Sequence, residues 1–301
     1  MEVYLIGIDG GGTKTDFVLC DPGLNEVARH CAGRSNPNDI GIAQTAALVK
    51  SGVCELCAKA GIGRENVAAA FAGVAGATSR DYSHRIETAL SEALPKARVL
   101  ALHDGINVLY GAFPHGDGIS VICGTGSSCF VKKGREVIRI GGYGALDLCG
   151  NGYEIGRRAL AHALKTVDGR EEEGVLEELL HEKYGADFLA ALEVMLAQSK
   201  DEISALAPLV FTACRRGDTA AKEIVCENIA YVASLIKRAS GYFCGGECKA
   251  ALAGGVMQDP LAAETLAGMI PPGVSLVKSE LPPVFGAAAR AKLLLEESEQ
   301  G

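Results

Sequence analysis

Apolar positions in the first third of the chain fall into short runs with a period near two. Residues 3–8, 15–20 and 27–31 alternate or run apolar and predict an opening meander of three strands. Residues 41–60 predict a helix. The Ala-rich run Val67–Val74 fits a helix or a buried strand, and the turn Gly73-Val74-Ala75-Gly76 at its end favours strand. Residues 82–94 predict a helix, 99–102 a short strand, and 106–113 another helix. Pro114 to Gly118 then punctuates the pattern, and a strand–loop–strand unit begins again at 119–131. This repeat, offset by about 115 residues, predicts two related α/β halves, 1–115 and 116–301. Beyond Tyr153 the period lengthens to that of helices, at 153–167, 173–184, 186–198, 201–216 and 219–243. A last strand, 250–253, leads into Gly254-Gly255. Asp259-Pro260 caps a following helix with proline at its first position, and 284–296 predicts an Ala/Leu-rich closing helix.

Two glycine–threonine loops join strands in this pattern. The first is Gly10-Gly11-Gly12-Thr13-Lys14-Thr15, preceded by Asp9; the second is Gly124-Thr125-Gly126-Ser127. Glycine lets backbone approach a ligand closely, and successive N–H groups form an anion-binding concavity. A Walker loop is excluded, because Thr13 separates Gly12 from Lys14 and a strand follows instead of a helix. A dinucleotide fingerprint fails for the same reason. Either loop alone could be a tight turn, but two of them predict a polyphosphate held from both sides. Asp104, between the loops in Leu102-His103-Asp104-Gly105, ends a short strand. There it can take a proton from an attacking hydroxyl or simply cap the helix behind it. His103 is expected to be structural. Asp9 stands where a carboxylate can hold magnesium, Thr13 and Thr125 offer hydroxyls to phosphate oxygens, and Lys14 offers charge.

Composition narrows the class. The 301 residues are 48% apolar with a net charge of −8, which describes a globular protein without the basic face of a nucleic-acid binder. No run of 18 apolar residues predicts a membrane span, and no leader precedes the first strand, so a cytoplasmic protein is expected. Eleven cysteines without such a leader are expected to be reduced thiols. Cys54 and Cys57 have half-site spacing but lie in a predicted helix with no second pair at zinc-finger distance.

The two loops and their surroundings resemble the superfamily of sugar kinases, actin and heat-shock ATPases. Within it they are similar to the N-acetylglucosamine kinase and activator-ATPase family, from Val3 to the helix near Ala288. The resemblance implies an α/β fold of two ribonuclease H-like (actin-like) domains flanking a nucleotide cleft, with the second more helical. The closing helix would return to pack on the first domain. It implies ATP and Mg2+, with Gly11, Gly12, Thr13, Lys14, Thr15, Gly124, Thr125, Gly126 and Ser127 on phosphates, Gly254 and Gly255 at adenosine, and Asp9 on the metal. Asp104 would be the catalytic base. Asn36 (otherwise an Asn-Pro turn), Gly73, Gly142, Tyr143, Gly144 and Asp147 would line the sugar site. The chain departs from the family's Gly-Asp-Glu-Gly-Ser segment at Leu146-Asp147-Leu148-Cys149-Gly150-Asn151, where Asp147 could slide in for a lost carboxylate.

The function implied is ATP-dependent phosphorylation of an amino sugar, N-acetylglucosamine or glucosamine, with a 6-phosphate product. The partner is then a small-molecule sugar, and a homodimer stays open. Two alternatives remain: an activator ATPase of a radical dehydratase, with Cys123 and Cys149 near its cluster ligands, and a nucleotide-binding regulator without turnover.

Overall fold

The computed structural model describes residues 3–147, 149–279 and 281–299. The chain divides into two compact units, Met1–Asp117 with Lys278–Gly301, and Gly118–Val277. The first unit runs β1 (Tyr4–Gly10), β2 (Lys14–Cys20), β3 (Glu26–Gly33), α1 (Pro37–Ile40), α2 (Ile42–Ala60), β4 (Val67–Val74), α3 (Tyr82–Ala93), β5 (Arg98–Leu102) and α4 (Gly105–Ala112). Its sheet has the order β3-β2-β1-β4-β5. The β1–β2 and β2–β3 pairs are antiparallel, and β1–β4 and β4–β5 are parallel.

The second unit repeats the plan with β6 (Gly118–Cys123), β7 (Ser127–Lys133) and β8 (Glu136–Ile140). After them come α5 (Gly152–Val167), α6 (Val175–Tyr184), α7 (Leu192–Ala197), α8 (Lys200–Ser204), α9 (Ala207–Arg215) and α10 (Thr219–Ser240). The unit closes with β9 (Cys248–Ala253), α11 (Pro260–Ala267) and β10 (Val274–Lys278). Its sheet order, β8-β7-β6-β9-β10, is the same permutation. Both units therefore have the ribonuclease H-like topology expected, and the second carries more helix. The final helix, α12 (Pro283–Glu299), belongs to the first unit.

Strand β2 shows why its sequence reads apolar throughout. Alternate side chains leave opposite faces of a sheet. Phe17 and Leu19 pack with Val49, Val53 and Leu56 of α2 on one face, while Val18 and Cys20 meet Val284 and Ala288 of α12 on the other. With both faces covered, polar alternation would leave unpaired groups inside. Complete burial of Phe17 contributes about 2–3 kcal/mol. Close approach is what makes this possible. A Cβ at Gly52 would stand 2.3 Å from the Phe17 ring, and one at Gly7 would stand 2.3 Å from the Val284 carbonyl oxygen of α12.

Several elements differ from the pattern reading. The predicted helix 201–216 is two helices, α8 and α9, because Pro208 has no N–H and cannot continue a helix through its own first turn. Of 186–198, only Leu192–Ala197 is helical, after a turn in which Asp187 Oδ1 accepts from the N–H groups of Leu189 and Ala190. Strands β8 and β10 were not expected. Each is five residues long and only partly buried, so neither offers the pattern a long continuous apolar run.

Candidate active site

In the first unit the parallel register brings Asp9 beside Gly73, and Gly73 beside Leu102. The ends of β1, β4 and β5 therefore share one edge, and the Gly10–Thr13 loop, the Gly73–Gly76 turn and Asp104 all rise from it. Ligand sites in sheets with parallel strands gather at such carboxyl ends. The first loop is pinned by Gly11 N–H donating to the Lys14 carbonyl (2.9 Å), Ser35 N–H to that of Gly11 (3.1 Å) and Ala75 N–H to that of Gly10 (2.8 Å). Among the described residues, the N–H groups of Gly12 and Thr13 donate to no backbone carbonyl, which leaves them available to an anion.

The side chains around this loop have distinct jobs. Thr13 is exposed at its tip. Thr15 is buried, and its hydroxyl donates to the Gly33 carbonyl at 2.7 Å, so its side chain serves the β2–β3 pair. The Lys14 ammonium lies 2.6 Å from Asp16, an exposed lysine leaning on a buried carboxylate that Arg29 also approaches at 3.6 Å. Asn36 caps α1, its Oδ1 accepting from Asn38 N–H at 3.0 Å. A Cβ at Gly76 would stand 2.6 Å from that oxygen, so the glycine at φ +77° makes room for the asparagine pair.

Asp9 is the most perturbed group of the edge. Burial pushes its carboxyl up to about 7, against a lowering hydrogen bond from Asn107 and a smaller raising contribution from Asp104. Asn107 was not expected from the sequence. It is fully buried on the first turn of α4, and its Nδ2 donates to Asp9 Oδ1 at 2.6 Å, to the Gly73 carbonyl at 3.2 Å and to the Ile8 carbonyl at 3.4 Å. Nothing in a lone Asn three residues after Asp104 marks this role, because its acceptors come from two distant strands. Gly73 admits it: a Cβ there would stand 2.1 Å from Asn107 Oδ1.

Asp104 occupies the N-cap position of α4, but its side chain makes no capping bond to the helix. Its Oδ1 is buried and lies 2.6 Å from His103 Nδ1, without hydrogen-bond geometry. His103 Nδ1 instead faces the Gly105 N–H at 3.2 Å. Among the described residues Asp104 Oδ1 takes no hydrogen bond, so it is open to a hydrogen-bond donor. As for magnesium, Asp9 Oδ2 takes no hydrogen bond among the described residues, which leaves one hard carboxylate oxygen for a cation. The residues present fit the ion, and Asp9 would hold it.

The second unit builds a matching edge. Strand β6 runs parallel to β9 with Ile122 beside Ala253, so Gly124 and Gly254 leave the sheet together. A Cβ at Gly254, whose φ is +93°, would stand 2.4 Å from the Cys123 carbonyl oxygen; this turn closes on the loop only as glycine. Gly124 N–H donates to the Gly126 carbonyl at 2.9 Å, and the N–H groups of Thr125 and Gly126 have no backbone acceptor among the described residues. Added Cβ atoms at Gly124, Gly126 and Gly255 would meet nothing within 4 Å. None of these three has a positive φ, so neither backbone strain nor a packed neighbour calls for glycine there.

Thr125 Oγ1 donates to Asp201 Oδ1 at 2.9 Å, and Ser127 Oγ to the Cys149 carbonyl at 2.8 Å, so both hydroxyls are engaged. Gly142 and Gly144 take φ of +75° and +69°, and the Tyr143 ring between them is 64% exposed with the Arg139 guanidinium 5.6 Å above it. Asp147 anchors this segment. Its Oδ2 accepts from Gly142 N–H at 2.8 Å and its Oδ1 from the Tyr231 hydroxyl, whose acidity burial and this bond suppress. Leu148, where the family's acidic pair is replaced, lies outside the described residues.

Two ribonuclease H-like units, each with a glycine loop holding free N–H groups at one sheet edge, define the class of actin-like phosphotransfer proteins. The chain belongs to the BadF/BadG/BcrA/BcrD ATPase family, whose pattern matches residues 6–291. It is 31% identical over 231 residues to the N-acetylmuramic acid/N-acetylglucosamine kinase of Clostridium acetobutylicum, covering 74% of this chain and 75% of that one. It is 29% identical over 236 residues to the N-acetyl-D-glucosamine kinase of Dictyostelium discoideum, covering 72% of each. Among solved structures, a Chromobacterium violaceum protein provisionally named N-acetylglucosamine kinase superposes with a TM-score of 0.79 at 27% identity, covering 98% of this chain and 99% of that one. No helix among the described residues is long and apolar enough to cross a membrane.

Proposed function

We propose that this protein is an ATP-dependent kinase that phosphorylates an amino sugar, N-acetylglucosamine or a close relative, at its 6-hydroxyl. The observation that carries the reading is the first unit's edge. A carboxylate with spare acceptor capacity, Asp104, rises beside a metal-competent carboxylate, Asp9, and a loop with free N–H donors. Phosphoryl transfer asks a protein mainly for positioning and charge stabilisation. Asp104 orients the attacking hydroxyl and takes its proton as the bond to phosphorus forms. The Gly12 and Thr13 N–H groups, and those of Thr125 and Gly126, bind phosphate oxygens. Gly254 and Gly255 let adenosine lie against backbone. Magnesium, when bound, screens the phosphate charge, and Asp9 is the residue that would hold it.

The names of the two relatives support an amino-sugar acceptor. N-acetylmuramic acid differs from N-acetylglucosamine by an ether at O3, so one site can serve both sugars if it presents O6 to Asp104. Asn36 offers the first unit a polar contact for a sugar, and the exposed Tyr143 ring offers the second an aromatic face. Cys123 counts against the activator reading, since it is fully buried in β6 and burial suppresses the thiolate that an iron–sulfur cluster needs.

The test is ADP release with MgATP on N-acetylglucosamine, glucosamine, N-acetylmuramic acid, glucose and no sugar, with phosphorus–proton correlation to locate the product phosphate. Release that depends on an amino sugar, with phosphorus coupled to the C6 protons, is expected. Release indifferent to sugar would overturn the kinase, and coupling to another carbon would overturn the 6-hydroxyl.

A further inference from the structure

We propose that Asn107 is a positioning residue for the metal carboxylate: it occupies Asp9 Oδ1 so that Oδ2 alone is presented to magnesium. Three acceptors converge on one side of its amide, Asp9 Oδ1 at 2.6 Å and the carbonyls of Gly73 and Ile8 at 3.2 and 3.4 Å. Three acceptors can be met only by the NH2 group, so the orientation of the amide follows from its surroundings. The other end, Oδ1, is buried and accepts no hydrogen bond among the described residues. A side chain kept only for packing would not leave a buried polar atom unpaired. The donor end is what the site retains.

The backbone is built around this residue. Gly73 must lack a Cβ because one would stand 2.1 Å from Asn107 Oδ1, and Gly286 of α12 must lack one because it would stand 1.8 Å from the Asn107 carbonyl oxygen. Asn107 N–H also donates to the Asp104 carbonyl at 2.9 Å. One side chain thus ties the ends of β1 and β4 to the helix turn that carries Asp104, and α12 holds that turn down. Residues that orient a metal's ligands change metal affinity or activity by about 10–100-fold when removed.

The inference rests on the kinase reading only through a magnesium-bound nucleotide. Asn107→Leu keeps the volume and removes the donor without adding charge; Asn107→Ser keeps one donor and guards against a misfolded first variant. ADP binding is measured by calorimetry in EDTA and across a magnesium series, beside the melting temperature and ADP release with N-acetylglucosamine. The expected result is ADP affinity in EDTA within about twofold of wild type and a magnesium requirement raised about 10–100-fold in Asn107→Leu, less in Asn107→Ser, with KM for sugar unchanged. An unchanged magnesium requirement, an equal loss of affinity in EDTA, or wild-type binding indifferent to magnesium would each overturn the proposal. Absence of sugar-dependent release in the wild type would overturn the kinase alone, because the calorimetry reads Asn107 regardless.

Discussion

Replacing Asp9 by Asn should stabilise the free protein while abolishing its turnover. The folded state holds the Asp9 carboxyl up to about 7, against an ordinary value of 3.8, chiefly because the group is buried. The unfolded chain releases that proton near the ordinary value. Between the two the folded state binds more protons, so stability falls as pH rises through this window and levels off above about 7. Each tenfold change in proton affinity is about 1.4 kcal/mol, which sets an upper bound of roughly 4 kcal/mol for the penalty at pH 8. Asp9 is only partly buried as a residue, so roughly 2–4 kcal/mol is the working range. Asn keeps an acceptor for Asn107 Nδ2 and carries no charge. Its melting temperature in EDTA without nucleotide should exceed wild type by roughly 5–10 °C at pH 8. The gap should narrow steadily on acidification and close only near the ordinary value of 3.8. ADP release should fall by about 100-fold or more. Calorimetric scans from pH 5 to 8.5 provide the check. A variant no more stable than wild type at pH 8, or a gap that does not narrow on acidification, would refute the burial argument.

Asp104→Asn should lower kcat by about 10²–10⁴ with little change in melting temperature or in KM for sugar, as measured by coupled ADP release. Gly254→Ala forces a Cβ to 2.4 Å from the Cys123 carbonyl oxygen at a φ of +93°, and should cost at least about 1–3 kcal/mol and weaken ADP binding in calorimetry. Gly7→Ala meets α12 backbone at 2.3 and 2.5 Å and should destabilise by about 3 kcal/mol or more in urea unfolding, since neither partner is a flexible side chain. Under native conditions a thiol reagent should modify the exposed Cys31, Cys149 and Cys244 and spare Cys123 and Cys129; fast reaction at the last two would contradict their burial.

Much of the site was legible along the chain because its chemistry is local. The glycine loops, Asp9 and Asp104 each sit at the end of a short apolar run, where a strand stops and backbone turns. Asp104 reads as base or cap along the chain; in the fold its carboxylate makes no capping bond, and its role as base is the proposal made above. Thr15 and Thr125 both belong to the glycine–threonine loops, and both were expected on phosphate from the sequence. In the fold one donates to Gly33 and the other to Asp201, partners 18 and 76 residues away.

The sequence by itself determined the repeated α/β plan, since strand period, glycine punctuation and the shift to helical period are all short-range properties. It also determined the family and the placing of both loops. Only the tertiary structure decided that Gly7, Gly73 and Gly254 are glycines because another segment lies against them, and that Asn107 reaches Asp9. Those facts depend on pairs of residues from tens to hundreds of positions apart, and close packing, not local preference, selects which of them meet.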